Sequence, residues 1–389
     1  MRSVSLRLWS IANNCINYNT RWRIQLCSRH GDSCRLDYAR RQPRGNTGIQ
    51  LKFDVTTLAD DLNQATRIAS AVEDFGFDGL WVAETAHNPF LPLAHASLAT
   101  KRISLGTAIA VAFPRDPMIM AQAAWDLAAM SRGRFVLGLG TQIKPHITKR
   151  FSAKWGKPVK QMREYIESLR TIWHSFQTGA DLNYDGEFYR FSLMPPGFAP
   201  PPMPYHRIPI YIAGVNTGLA QLAGELCDGF HVHSFHTSLY LREVLLPAFQ
   251  SGRMKSDRRD KLTLSCAVFV VTGADDDTLE ASKQLTKSQI AFYASTPSYS
   301  RVLDLHGWTD LIPRLNALLR RNRWSEMHTL ISDAMLEAFA VIAPPDELPY
   351  ALRQRYAGLL DRAGFYFPFE PEDREKRIIW QHAAKAMGA

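Results

Sequence analysis

The sequence predicts an α/β protein folded as a (β/α)8 barrel, and three observations carry that reading. Short apolar, strand-like runs alternate with segments of helical periodicity from residue 50 onward. Eight such runs can be placed along the chain. No Pro/Gly-rich stretch is long enough to split this body into domains. Alternation of this kind argues for a parallel sheet with helical crossovers, and eight strands suit closure into a barrel. An open doubly wound sheet is the competing reading. In the barrel, the chemistry belongs at the C-terminal ends of the strands.

The elements follow in order. Residues 51–55 read as a short strand. Leu58, Leu62, Ala65, Ala69, Val72 and Phe75 then recur at helical spacing, and Gly76 suits the C-terminal cap. Gly79–Ala83 (GLWVA) is the second strand and 103–112 the third. Asp116 and Pro117 form the N-cap and first turn of a helix that runs to Arg132 and Gly133. Residues 135–139 make the fourth strand, and 159–174 the helix after it. An Asp-Gly turn between aromatic residues marks 181–194 as an inserted hairpin. Strand five is 209–213, followed by a helix to Leu226; strand six is 229–235 and strand seven 262–271. A mostly helical insertion, about 275–343, comes next. A helix over 345–360 and an eighth strand over 364–369 complete the pattern.

The formal net charge of +9 is unevenly spread. Residues 1–50 hold nine Arg, no Lys and two Asp, which is +7, so the rest of the chain is +2. A nearly neutral body does not point to nucleic acid. No apolar run reaches the roughly 18 residues that span a bilayer, so no membrane partner is expected. The five cysteines contain no CxxC pair, which excludes the usual zinc and redox frameworks and leaves a reducing cytoplasm as the expected location. Residues 1–49 are Arg-rich, lack periodicity and have no secretory apolar core. They read as a poorly ordered, dispensable extension, such as one from a start codon set too far upstream. A transit peptide is the alternative.

The strongest local signal lies in 135–163. An apolar run ends in Gly138 and Gly140, and seven Lys/Arg follow between Thr141 and Arg163 without one Asp or Glu. Such a turn followed by positive charge suits an anionic ligand, while the plain alternative is a solvated helix face. A dinucleotide fingerprint fails, because Ile143 stands where its third Gly is required. Residues 211–218 (YIAGVNTG) read as strand, small-residue turn and helix start, with Asn216 or Thr217 as cap. Free backbone N–H groups there suit phosphate, or simply make an ordinary turn. Glu84 and His87 follow strand two in AETAHNPF, where a carboxylate and an imidazole can move a proton or merely hydrogen-bond. His231, His233 and His236 invite a metal reading, but no third and fourth ligand accompany the His-x-His pair, so no metal is expected.

Taken together, the chain from Lys52 to about Phe369 resembles the luciferase-like monooxygenase superfamily, and within it the oxidoreductases that use the deazaflavin coenzyme F420. The likeness rests on GFDGLWVAETAHNPF (76–90), ISLGTAIAVAFPRDPMIMAQAAWDLAAMSRGRFVLGLGTQ (103–142), VKQMREYIESLRTIW (159–173), IPIYIAGVN (208–216), CDGFHVHSFH (227–236) and FYASTPSYSRVLDLHGW (292–308). It implies a TIM-type barrel of the bacterial luciferase-like kind, with the insertion after strand seven and an isoalloxazine-like ring across the mouth. It also implies a non-proline cis peptide between Ala108 and Ile109, against that ring. By the same likeness Thr141 and His146 contact the cofactor, and Gly214, Val215, Asn216 and Thr217 form the phosphate-binding turn. His87 and Glu84 become the proton handlers, and the basic run after Lys144 attracts the acidic cofactor tail. The implied activity is hydride transfer between a small organic substrate and F420, by a homodimer. Val111 departs from the pattern, standing where a relative has a hydroxyl residue. The sugar-phosphate dehydrogenase pattern is not reproduced either. The alternatives are a monooxygenase using FMN and oxygen, a non-catalytic cofactor-binding protein, and a metal hydrolase. The lid residues Tyr293, Thr296, Tyr299 and Trp308 suggest a partly apolar substrate.

Overall fold

In the computed structural model, residues 51–387 are described, apart from 59, 60, 368, 371 and 372. The expected N-terminal extension, 1–49, lies outside the described residues. The chain forms eight parallel strands: β1 (Lys52–Leu58), β2 (Gly79–Ala83), β3 (Ser104–Thr107), β4 (Phe135–Gly140), β5 (Ile210–Gly214), β6 (Gly229–Val232), β7 (Thr263–Val271) and β8 (Arg362–Phe365). Each pairs with the next, and β8 pairs with β1 through Phe53 opposite Ala363, so the sheet closes.

Period-two alternation sorts the side chains. Val55, Val82, Leu105, Leu137, Ile212, Phe230 and Val268 are almost fully buried beneath the surrounding helices. Asp54, Trp81, Tyr211, His231 and Arg362 point inward and fill the lower barrel. The Arg362 guanidinium donates to both Asp54 carboxylate oxygens, at 2.6 and 2.8 Å, across the β1–β8 seam. Trp81 Nε1 donates to the same carboxylate at 2.8 Å, and the His231 ring packs edge-on to Trp81 at 5.0 Å. The interior is therefore a plug, not a pore.

Helices form where local signals start and stop them. Asp116 caps α3 (Pro117–Met130) by accepting from Met118 N at 2.8 Å. Gly179, at φ 72°, ends α4 (Pro158–Thr178). These follow α1 (Ala65–Asp74) and α2 (Phe90–Ala99) and precede α5 (Thr217–Leu226). In the insertion, an Asp275 capping box starts α6 (Asp276–Ala294).

Several boundaries differ from the sequence expectation. β1 runs on to Leu58, and its helix starts only at Ala65. The third strand is not continuous over 103–112: β3 stops at Thr107, and Ala110–Val111 resumes pairing with β4 beyond a cis peptide at Ala108-Ile109, the bond at which the resemblance implies one. β6 ends at Val232, short of Phe235. β8 begins at Arg362, two residues before Gly364, because an arginine at that position is buried by its carboxylate partner. The hairpin pairs only Tyr184–Asp185 with Arg190–Phe191. Two elements carried no sequence expectation. Ala340–Ile342 pairs in parallel with the far end of β7, and the C-terminal helix Arg374–Met387 seats Trp380 against Phe77, Phe365 and Phe369.

Candidate active site at the barrel mouth

Above the plug, the next inward position on five strands is a small residue: Thr56, Ala83, Ala108, Ala213 and Ala267. All five are partly exposed, although the residue before each is buried. Four of these strands end within two residues of that position, while β7 runs on to Val271, so the small residues make a floor at the C-terminal face, where loops from several strands converge.

The bulge in the third strand forms one side of this floor. Glycines 138 and 140 make it possible. A Cβ at Gly138 would fall 1.8 Å from the Thr107 carbonyl oxygen, and one at Gly140 only 2.5 Å from Ile109 Cδ1. Thr107 Oγ1 also bonds both the N–H and the C=O of Gly138, at 2.9 and 2.6 Å. The glycine pair read as a strand end is thus the socket for Ala108 and Ile109.

Glu84 holds the same bulge from the other side. Its N–H donates to the Ile109 carbonyl at 3.2 Å, and its carboxylate accepts from Val111 N at 2.7 Å. Arg115 donates to both Glu84 oxygens at 2.8 Å and to the Val111 carbonyl at 2.9 Å. A carboxylate so engaged has little capacity left for a travelling proton, and Glu84 sits as a brace. His87 lies exposed on the loop and has no hydrogen-bond partner among the described residues. Arg115, 31 residues away in sequence, had no signal that would pair it with Glu84.

Three other mouth loops carry the remaining expected residues. Thr141 follows β4, and its hydroxyl donates to the Gln142 carbonyl at 3.2 Å. His146 opens a π-helical turn; burial, and then Arg150, lowers its pKa, and its Nδ1 is buried without a partner. Gly214, Val215, Asn216 and Thr217 connect β5 to α5. Asn216 Nδ2 donates to the Ser298 carbonyl at 3.0 Å, leaving its buried Oδ1 unpartnered, and Arg301 reaches the Thr217 hydroxyl at 3.4 Å. Arg301 comes from the insertion and was not anticipated. A third buried orphan, Thr85 Oγ1, lies on the β2 loop. Buried polar atoms left unpaired are costly in a finished protein, so three of them on loops around one open floor fit a ligand that supplies their partners.

The basic run is partly spent on the protein itself. Lys160 pairs with Glu187, and Arg163 pairs with Glu225 and Glu167. Lys144, Lys149, Lys154 and Lys157 remain exposed. The three histidines of strand six disperse: His231 is sealed in the plug, His233 stands at the rim, and His236 turns toward Cys266, with Sγ at 3.7 Å. Among the described residues no three His, Cys, Asp or Glu side chains converge as metal ligands. A cleft of about 420 Å³ opens at the other end of the barrel, lined by Arg170, His174, Arg207 and Arg258. Arg170 and Arg258 there are engaged by Asp228 and the Leu226 carbonyl, so the cleft competes poorly as a site.

These features define a closed parallel barrel that carries a floor of small residues at its C-terminal face. A model of the luciferase-like monooxygenase family matches residues 39–362, and the chain belongs to that family. It is 48% identical over 314 residues to an uncharacterized protein of Mycobacterium tuberculosis, covering 80% of this chain and 92% of that one. It is 28% identical over 310 residues to a 5,10-methylenetetrahydromethanopterin reductase of Archaeoglobus fulgidus, covering 77% and 88%. The solved coenzyme F420 dependent tetrahydromethanopterin reductase from Methanopyrus kandleri has the same fold, with a TM-score of 0.71 at 20% identity over 87% and 98% of the two chains. The chain is an enzyme of the F420- or flavin-dependent oxidoreductase and monooxygenase kind. No helix among the described residues is long and apolar enough to cross a membrane.

Proposed function

We propose that the protein transfers a hydride between a small organic substrate and the deazaflavin coenzyme F420. The observation that carries this reading is the part-exposed floor of Thr56, Ala83, Ala108, Ala213 and Ala267, ringed by the orphan atoms of Thr85, His146 and Asn216. The choice of deazaflavin over FMN draws on the relatives named for that coenzyme. When bound, the deazaflavin supplies the carbon that accepts or gives the hydride.

The chain's own residues hold and orient. Ala108 and Ile109 present a fixed surface, braced by Glu84 and Arg115. Thr141 and His146 face the cofactor from the β4 loop. Gly214, Val215, Asn216 and Thr217 offer backbone N–H groups at the α5 N-terminus to a phosphate, with Arg301 adding charge. Lys144, Lys149, Lys154 and Lys157 draw in an acidic tail. His87 exchanges the proton, and Glu84 is a positioning residue. Two copies form the working unit, in a reducing cytoplasm where the buried thiols of Cys227 and Cys266 stay free.

The test is titration of the purified protein with F420 and, separately, with FMN. Deazaflavin should bind and support turnover without oxygen. Binding of neither cofactor, or turnover only with reduced FMN and oxygen, overturns the reading. His87→Ala should leave the deazaflavin Kd unchanged and lower kcat about 100-fold. Full turnover by that variant removes His87 from the mechanism.

A further inference from the structure

The two-residue period that places the plug also decides what stands above it on β6, β7 and β8. His231 faces inward, packed against Trp81 and Tyr211, so His233 faces the same way at the strand end. Arg362 faces inward onto Asp54, so Gly364 and then Tyr366 follow on that face. The insertion returns Tyr293, near the end of α6, and Tyr299 to the same corner. The His233 ring meets Tyr293 edge-on at 4.8 Å and Tyr299 at 5.0 Å. Phe269 lies 4.6 Å from Tyr366, and Phe235 stacks at 6.0 Å with Tyr299.

This wall is apolar in area but not inert. His233 Nδ1 accepts the Phe235 N–H at 3.0 Å, which puts the proton of the neutral ring on Nε2. Burial lowers its pKa to about 4, so the ring is neutral near neutrality. Among the described residues nothing accepts from Nε2. The Tyr293 and Tyr366 hydroxyls lie 2.6 Å apart, and burial raises both their pKa values. Two phenols sharing one hydrogen bond have one O–H left to donate. The wall thus offers four part-buried rings and two neutral donors, with Phe235 and Phe269 buried behind them, and no Lys, Arg, Asp or Glu among the six side chains. An ionised head group would lose water there without a counter-charge. A neutral oxygen on an apolar body would keep its hydrogen bonds.

We propose that His233, Tyr293, Tyr299 and Tyr366 form the substrate half of the mouth and select an uncharged carbonyl compound or its alcohol, with an apolar body whose oxygen accepts from His233 Nε2 and the Tyr293–Tyr366 pair. The oxidation level rests on the hydride-transfer reading above; the neutrality and the two donors do not. The arrangement separates labour within the mouth. Charge for an anionic group gathers at Arg301 and the exposed lysines beside β4 and β5, while none of the six wall side chains carries one.

The test uses the full chain, with cyclohexanone and glucose 6-phosphate as probes in saturation-transfer NMR, with and without F420. Deazaflavin fluorescence reports cofactor Kd in parallel. Cyclohexanone should bind and glucose 6-phosphate should not. Tyr366→Phe and His233→Asn should each weaken cyclohexanone about tenfold, the scale of one lost hydrogen bond, with the deazaflavin Kd unchanged. The unchanged cofactor Kd also shows that each variant is folded. Preferential binding of glucose 6-phosphate overturns the proposal, as does wild-type cyclohexanone affinity in both variants. If cyclohexanone binds and depends on Tyr366 while F420 does not bind at all, the wall assignment stands and the cofactor reading falls.

Discussion

Three histidines within six residues of β6 and its loop meet three environments, and burial lowers the pKa of all three. His231 falls to about 3, His233 to about 4 and His236 to about 4. Unfolded imidazoles take up protons near pH 6.5, whereas these do so only well below it. The folded state is therefore fully favoured above pH 6.5, and stability is lost as pH falls toward 4. Each unit of such a gap is worth about 1.4 kcal/mol. Calorimetry should show Tm declining already between pH 6.5 and 5, above the carboxylate range. A flat Tm over that interval would sink the argument. The sequence showed the His-x-His alternation, and hence that His231 and His233 share a face. It could not show that one is sealed in the plug while the other reaches the rim, because that depends on where β6 stops against its neighbours. Glu84 was likewise legible as a mouth residue, but its role turns on Arg115, which only the fold brings to it.

At the scale of elements, the β1–β8 seam depends on a charge pair inside the barrel. Asp54 and Arg362 are almost fully buried and joined by two hydrogen bonds, with Trp81 as a third donor to Asp54. Removing one partner of such a pair strands the other charge in a medium that solvates it poorly. Asp54→Asn should cost about 3–5 kcal/mol in denaturant unfolding, while Arg190→Ala, on an exposed pair with Asp185, should cost well under about 1 kcal/mol. Equal effects would show that the seam pair is not special. Strand and helix order was readable because outward faces keep their apolar period. The boundaries that went astray are those set by distant partners. Arg362 falls in the connection between the expected helix and strand until Asp54 is opposite it. The third strand reads as continuous because Ala108 and Ile109 are as apolar as their neighbours. The acid-free run reads as one positive face, although Glu187 and Glu225 reach two of its members from other elements.

At the scale of the molecule, α2 and α3 pack side by side and are apolar on nearly every side. Leu98 is 77% exposed and Ile119 60%, with Leu91 and Met130 also open on the same two helices. A helix that is apolar all round is normally covered, and the other described residues do not cover these faces. A second copy is the occupant we propose. Light scattering should give twice the chain mass, and Leu98→Glu should give one chain mass with an unchanged thermal transition of the barrel. A wild-type monomer would refute this.

The short strand Ala340–Ile342 has a consequence of a different kind. Its bonds to Phe269, Val270 and Val271 bring the end of the insertion back beside the strand from which it departs. Entry and exit points are thus neighbours, and the loop-closure cost of what lies between depends only weakly on its length. The segment that carries Tyr293, Tyr299 and Arg301 can therefore change in length at little cost to the register of the eight strands. The foundations of the barrel and what stands over them are thus separable.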